Sequence, residues 1–83
     1  MSGLVKVLLF GAAADRAGIR QMEVPVDEDT TLGELWPILA AQHPGLAPMR
    51  GTLAFAVNGQ YARIDDPVTP GDEVAVLPPV SGG

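Results

Sequence analysis

The dipeptide Asn58-Gly59 limits what this chain can become more than any other pair of residues in it. A two-residue type I′ turn needs positive φ at both central positions, and Asn-Gly accepts that conformation best. The pair separates two runs of strand character, residues 53–57 and 60–64. Alternation in the first run puts Leu53, Phe55 and Val57 on an inward face and Ala54 and Ala56 on an outward one. An antiparallel hairpin is therefore predicted, and with it a sheet.

Three further strands read from the sequence. Residues 4–10, Leu-Val-Lys-Val-Leu-Leu-Phe, are almost all β-favouring. Lys6 marks the face turned away from the core, so Val5, Val7 and Leu9 point inward, and Leu4, Leu8 and Phe10 share the Lys6 side. Residues 19–26 carry Met22, Val24 and Val26 on one face and Gln21, Glu23 and Pro25 on the other, with Pro25 suited to an edge. Residues 73–77 place Val74 and Val76 inward and Ala75 and Leu77 outward. Between the first two strands, the Ala-rich residues 12–17 predict one or two helical turns closed by Gly18.

The main helix announces itself twice. Thr31-Leu32-Gly33-Glu34 matches a capping box, and Leu32, Leu35, Trp36 and Leu39 follow at one helical face. Trp36 reads as core packing on that face. Pro37 conflicts with the pattern. It removes the bond to Gly33 and is expected to bend or locally open the first turns; the cap and the period still agree on a helix, with room for its start to move by several residues. Pro44-Gly45 stops the helix, His43 sits structurally at its end, and residues 45–52 read as a connecting loop. The acidic run Asp27-Glu28-Asp29 reads as a solvated turn. Asp65-Asp66-Pro67 and Thr69-Pro70-Gly71-Asp72 have the composition of two successive turns, which explains their carboxylates without catalysis.

The order strand, strand, helix, strand, strand, strand predicts an α+β fold, one main crossover helix laid on a mixed five-strand sheet. In the usual arrangement of this order the first and last strands lie parallel at the centre. Leu8 and Phe10 would then merge with Ala75, Leu77, Ala54 and Ala56 into a flat apolar outer face, a surface that monomers rarely leave unused.

Composition narrows the chemistry. The chain has 83 residues, enough for one domain, and 47% of them are hydrophobic. It has no Cys and one His, which excludes disulfides, thiolate metal sites and Cys nucleophiles and leaves little for a catalytic metal. Ten acidic residues against five basic ones disfavour nucleic acid and favour a partner with a basic surface. No apolar run approaches a membrane span and the start lacks signal-peptide blocks, so a cytoplasmic protein is expected.

What stands out is the end, Pro78-Pro79-Val80-Ser81-Gly82-Gly83. The proline pair favours an extended, unpaired base, and the glycines give a tip without side chains. Residues 1–77 thus read as a domain and 78–83 as an extended tail, able to reach about 20 Å. The one distinctive group at the tip is the Gly83 α-carboxylate.

The segments Val5-Lys6-Val7-Leu8-Leu9-Phe10, Ala56-Val57-Asn58-Gly59, Gly71-Asp72-Glu73-Val74-Ala75 and Leu77-Pro78-Pro79-Val80-Ser81-Gly82-Gly83 resemble the sulfur-carrier subunits of molybdopterin synthase, the MoaD type of the MoaD/ThiS ubiquitin-like family. The likeness spans essentially the whole chain and implies a β-grasp fold. It also implies that Gly83 is adenylated by an E1-like, MoeB-type enzyme using ATP and then converted to a thiocarboxylate. No cofactor would be held permanently. The carrier would dock on the large MoaE-type subunit, in an assembly of two small and two large chains, and donate sulfur to cyclic pyranopterin monophosphate. Gly82, with Ser81, Val80, Pro79 and Pro78 behind it, would thread the partner's channel, and Phe10 and Leu77 match family positions that contact partners; Leu8 and Ala75 join that interface as their neighbours on the outer face. Three other readings of the same tail are a carrier for thiazole or another thiolation pathway, a protein modifier joined to lysines, and an inert interaction domain.

Overall fold

A computed structural model describes residues 3–78. The elements run β1 Gly3–Leu9, α1 Gly11–Ala17, β2 Gln21–Val26, α2 Leu32–Gln42, a 3-10 helix Pro44–Thr52, β3 Ala54–Val57, β4 Gln60–Ala62 and β5 Glu73–Leu77. The five strands form one sheet in the order β2-β1-β5-β3-β4. β1 and β5 are parallel at its centre, and the other pairings are antiparallel. This is the architecture the strand order predicts.

One face of the sheet is core. Val5, Val7, Val24, Val74 and Val76 have no exposed surface, and Leu32, Leu35, Trp36 and Leu39 of α2 cover them. Full burial of side chains this size stabilises a fold by roughly 1.5–3 kcal/mol each, so α2 is held mainly by its apolar stripe. Trp36 meets Phe55 edge to face, with ring centroids 5.6 Å apart and planes at 73°.

The start of α2 is fixed more firmly than Pro37 suggests. Thr31 Oγ1 accepts from the Glu34 N–H at 3.3 Å, and Glu34 Oε1 accepts from the Thr31 N–H at 3.0 Å. The strand-linking segment after β4 takes the next two donors: the Leu32 N–H donates to the Asp66 carbonyl and the Gly33 N–H to that of Ile64. The first turn is thus pinned from outside. The helix starts where its cap predicts and runs unbroken through Pro37. Gly33 is what admits Ile64 so closely, since a Cβ there would lie 3.1 Å from its carbonyl oxygen.

Residues 45–52 correct the sequence reading. They belong to a 3-10 helix, not a loop. Gly45, Pro48 and Gly51 break an α-helix, but Leu46 and Met49 stand three apart, the 3-10 period, and both pack on the core. Gly45 also lets this segment touch α1, since a Cβ there would collide with the Arg16 carbonyl oxygen.

Strand ends shift for local reasons. β1 stops at Leu9, and Phe10 becomes the extended N-cap of α1. β2 starts at Gln21 rather than at residue 19, after Gly18 closes α1 in the left-handed conformation at φ 78°. β3 starts at Ala54, directly after the cap of the 3-10 helix at Leu53. β4 stops at Ala62 because Asp66 Oδ2 accepts the Arg63 N–H at 2.8 Å and folds the chain into a turn.

The Asn58-Gly59 turn is as predicted, with φ of 52° and 85°. Its asparagine does a second job. Asn58 Oδ1 accepts the Glu73 N–H at 3.0 Å, and Asn58 Nδ2 donates to Asp72 Oδ1 at 3.0 Å. Asp72 Oδ2 accepts from the Thr69 N–H at 2.9 Å and from its hydroxyl at 3.1 Å. The Thr69 backbone donor, with Asn58 and the Thr69 hydroxyl, outweighs partial burial and holds the Asp72 carboxyl below its ordinary value. A depressed folded pKa means stability that is present above the ordinary carboxylate range and lost as pH falls through it. Asp72→Ala is therefore expected to destabilise the fold at neutral pH, by no more than about 1 kcal/mol because water screens these exposed bonds. The difference from the parent should shrink below about pH 4. Urea unfolding at both pH values checks this, and an equal loss at both would show that the charge is irrelevant.

Candidate functional site

The strand register assembles the outer face in rows. Glu23, Lys6 and Glu73 lie in one charged line across β2, β1 and β5. Two residues further along, Gln21, Leu8, Ala75, Ala56 and Tyr61 form a line across all five strands. Beyond it, Leu77 faces Ala54, and Phe10 sits beside Leu77 because its N–H donates to the Val76 carbonyl at 3.1 Å. Hence Leu8, Phe10, Ala75 and Leu77 are brought together as the sequence predicts, at the end of the sheet where β5 runs out.

Their exposure differs. Phe10 is 44% exposed, while Leu8, Ala75 and Leu77 are half-buried. Ala56 is on the outer face as expected, yet it is buried at 7%, between Ala75 and Tyr61 on the flanking strands. Tyr61 is the residue that sequence reasoning missed. It is 72% exposed and extends the apolar row to the sheet edge. The signal was present: a two-residue turn at 58–59 pairs position 56 with 61, which puts Tyr61 on Ala56's face.

β1 and β5 are parallel, so both end at the same edge, and the chain leaves β5 through exposed Pro78. The Pro78 ring lies over Gly11, where a Cβ would be 3.5 Å from its Cγ. Gly11 has φ of 57°, which turns the chain sharply from β1 into α1 and keeps this corner clear. Pro79, Val80, Ser81, Gly82 and Gly83, assigned from the sequence to the tail, lie outside the described residues. Among the described residues no three His, Cys, Asp or Glu side chains group as a metal site, and no helix is long and apolar enough to cross a membrane.

The ThiS family profile matches residues 7–83, nearly the whole chain and the tail with it. The chain belongs to the ThiS family. Its relatives within that family include the human molybdopterin synthase sulfur carrier subunit, 39% identical over 82 residues, which cover 95% of this chain and 93% of the human one. The small archaeal modifier protein 1 of Haloferax volcanii superimposes with a TM-score of 0.85 at 30% identity, over 94% of this chain and 99% of that one. A chain from the complex of subunits 1 and 2 of molybdopterin-converting factor from Helicobacter pylori superimposes with a TM-score of 0.67 at 30% identity, over 96% and 99%. The fold of this ThiS-family chain is the ubiquitin-like β-grasp, and the resemblance to the MoaD type read from its sequence is borne out.

Proposed function

We propose that this protein is the sulfur-carrier subunit of a molybdopterin synthase, with Gly83 as the atom-carrying residue. A carboxylate is both a poor electrophile and a poor nucleophile. An E1-like enzyme would join the Gly83 carboxylate to AMP from ATP, releasing pyrophosphate. A sulfur donor would then displace AMP and leave a thiocarboxylate, a soft nucleophile. The domain itself supplies no catalytic side chain to these steps. Its role is to present the tip and to be recognised.

The observation that carries the reading is placement. The apolar group Phe10, Leu8, Ala75 and Leu77 stands at the sheet edge from which Pro78 departs. A large subunit seated on that face would receive the tail at its own active site, threading Pro78 to Gly82 and acting on cyclic pyranopterin monophosphate. The Helicobacter pylori complex of two subunits supports a partner of this kind. On this reading the assembly holds two small and two large chains and works in the cytoplasm.

The experiment is intact-mass spectrometry after incubation with an E1-like enzyme, ATP and a sulfur source. The mass is expected to rise by the difference between sulfur and oxygen. An unchanged mass removes the carrier reading. The likeness to the archaeal modifier favours one rival, conjugation through Gly83 to lysines. That rival predicts isopeptide-linked adducts in cells.

A further inference from the structure

Apolar surface lies at both ends of the outer face. Phe10 and Leu77 mark the end where the chain leaves through Pro78. Leu4, 50% exposed and paired with Pro25, marks the other. Apolar contact is non-directional, so these residues alone accept a partner seated either way round. Only one of the two seats carries the chain from Pro78 toward that partner's active site.

Charge tells the ends apart. The exposed residues Glu23, Lys6 and Glu73 stand in one line on three neighbouring strands, spaced by roughly 4.8 Å. More carboxylates gather on the side of that line away from Pro78. Asp72 precedes Glu73, and its carbonyl accepts the Lys6 N–H at 3.1 Å. Exposed Asp27 and Asp29 follow Val26, which faces Gly3 at the start of β1. At the tail end the balance is reversed. Phe10 leads into α1, and this helix and the turn after it hold exposed Arg16 and Arg20 against Asp15. The face is therefore polarised, with its negative pole at the end away from the tail.

We propose that the large subunit carries a basic rim opposite Glu23 and Glu73, and that this pairing sets the orientation in which the carrier is seated. The proposal rests on the reading of the large subunit as the partner on this face. Such a rim attracts the Glu23–Glu73 end across about one Debye length, roughly 10 Å at 0.1 M salt, before the apolar rows touch. In the reversed seat the same rim would meet Arg16 and Arg20, and like charges would oppose contact. Because the line borders the apolar contact and stays hydrated, it acts on the association rate far more than on the dissociation rate.

Stopped-flow association of the full chain with the large subunit, at low and high salt, tests it. Glu23→Lys combined with Glu73→Lys is expected to slow association about ten-fold at low salt and to leave the dissociation rate nearly unchanged. Glu23→Gln with Glu73→Gln, which avoids three adjacent lysines, should fall between. The control makes the same change in net charge on the α2 side, with Asp65→Lys, Ala41→Lys and Gln42→Lys, and should slow association much less. Equal slowing by both sets would reduce the effect to net charge and overturn the oriented pairing, as would no slowing by the Glu23 and Glu73 variants. The absence of Cys makes single-site labelling clean. A photocrosslinker on Glu23→Cys is expected to capture a large-subunit peptide that contains Lys or Arg, and capture of a peptide with neither would overturn the proposal. Sulfur loading is read separately by mass: normal loading without oriented pairing keeps the carrier role, and oriented pairing in a chain that never loads sulfur refutes it.

Discussion

Deleting Gly82 and Gly83 is expected to abolish sulfur donation and leave the thermal unfolding midpoint where it was. The two halves of that result have separate causes. The reacting carbon is the carboxyl carbon of Gly83, and the shortened chain would offer a Ser81 carboxylate instead. An activating enzyme or a large subunit that admits only a side-chain-free tip would meet a hydroxymethyl group and a shorter reach. Misplacement of a reacting group by even about 1 Å costs on the order of 100-fold in rate, and two lost residues retract it by roughly 7 Å. Stability should be untouched because, among the described residues, every core side chain lies between Val5 and Val76. Sulfur transfer to the pterin precursor, assayed beside a calorimetric scan, separates the readings. A truncated chain that still supports transfer would mean an inert tail. A truncated chain that unfolds early would mean the tail belongs to the fold.

Much of this was legible in the residues because the relevant physics is local. Period-two alternation sorted Val5, Val7, Val74 and Val76 from Leu8, Ala75 and Leu77, and burial follows that sorting. Asn58-Gly59 specified a turn that few other pairs can make. What escaped was decided by tertiary contact. Pro37 should weaken the start of α2 when only the helix is considered, but the Asp66 and Ile64 carbonyls come from another segment and hold it. Residues 45–52 carry two prolines' worth of loop character with Pro44 at their edge, yet Leu46 is pulled fully into the core and orders them. The role of Asn58 toward Asp72 and Glu73 joins positions some fifteen residues apart and leaves no local trace. The candidate face was readable except for Tyr61, whose place depends on counting across the turn. The tail was read from composition, and its chemistry comes from the family rather than from any geometry of the domain.

Leu77→Asp should separate docking from folding most sharply. Leu77 is the last residue of β5, half-buried, on the outer face beside Phe10 and opposite Ala54. In the free chain its side chain borders solvent, so an aspartate can stay hydrated, and the strand should lose no more than about 1 kcal/mol. In a complex that covers this face the same carboxylate would be buried without a partner. That costs roughly 3–5 kcal/mol, a weakening of affinity by about two to four orders of magnitude. Phe10→Asp should behave alike, with the added loss of an aromatic anchor. Titration of each variant against the large subunit, with circular dichroism to verify the fold, makes the measurement. Retained affinity in both variants would move the interface off this face, and loss of fold in both would mean that the outer surface is structural. Lys6→Ala supplies the internal control. It lies on the same face but in the charged row between Glu23 and Glu73, away from the end where the tail leaves. A rim charge of that kind mainly changes the association rate and its salt dependence. If the apolar end of the sheet is the docking site, Leu77→Asp should therefore raise the dissociation rate, while Lys6→Ala leaves that rate nearly unchanged.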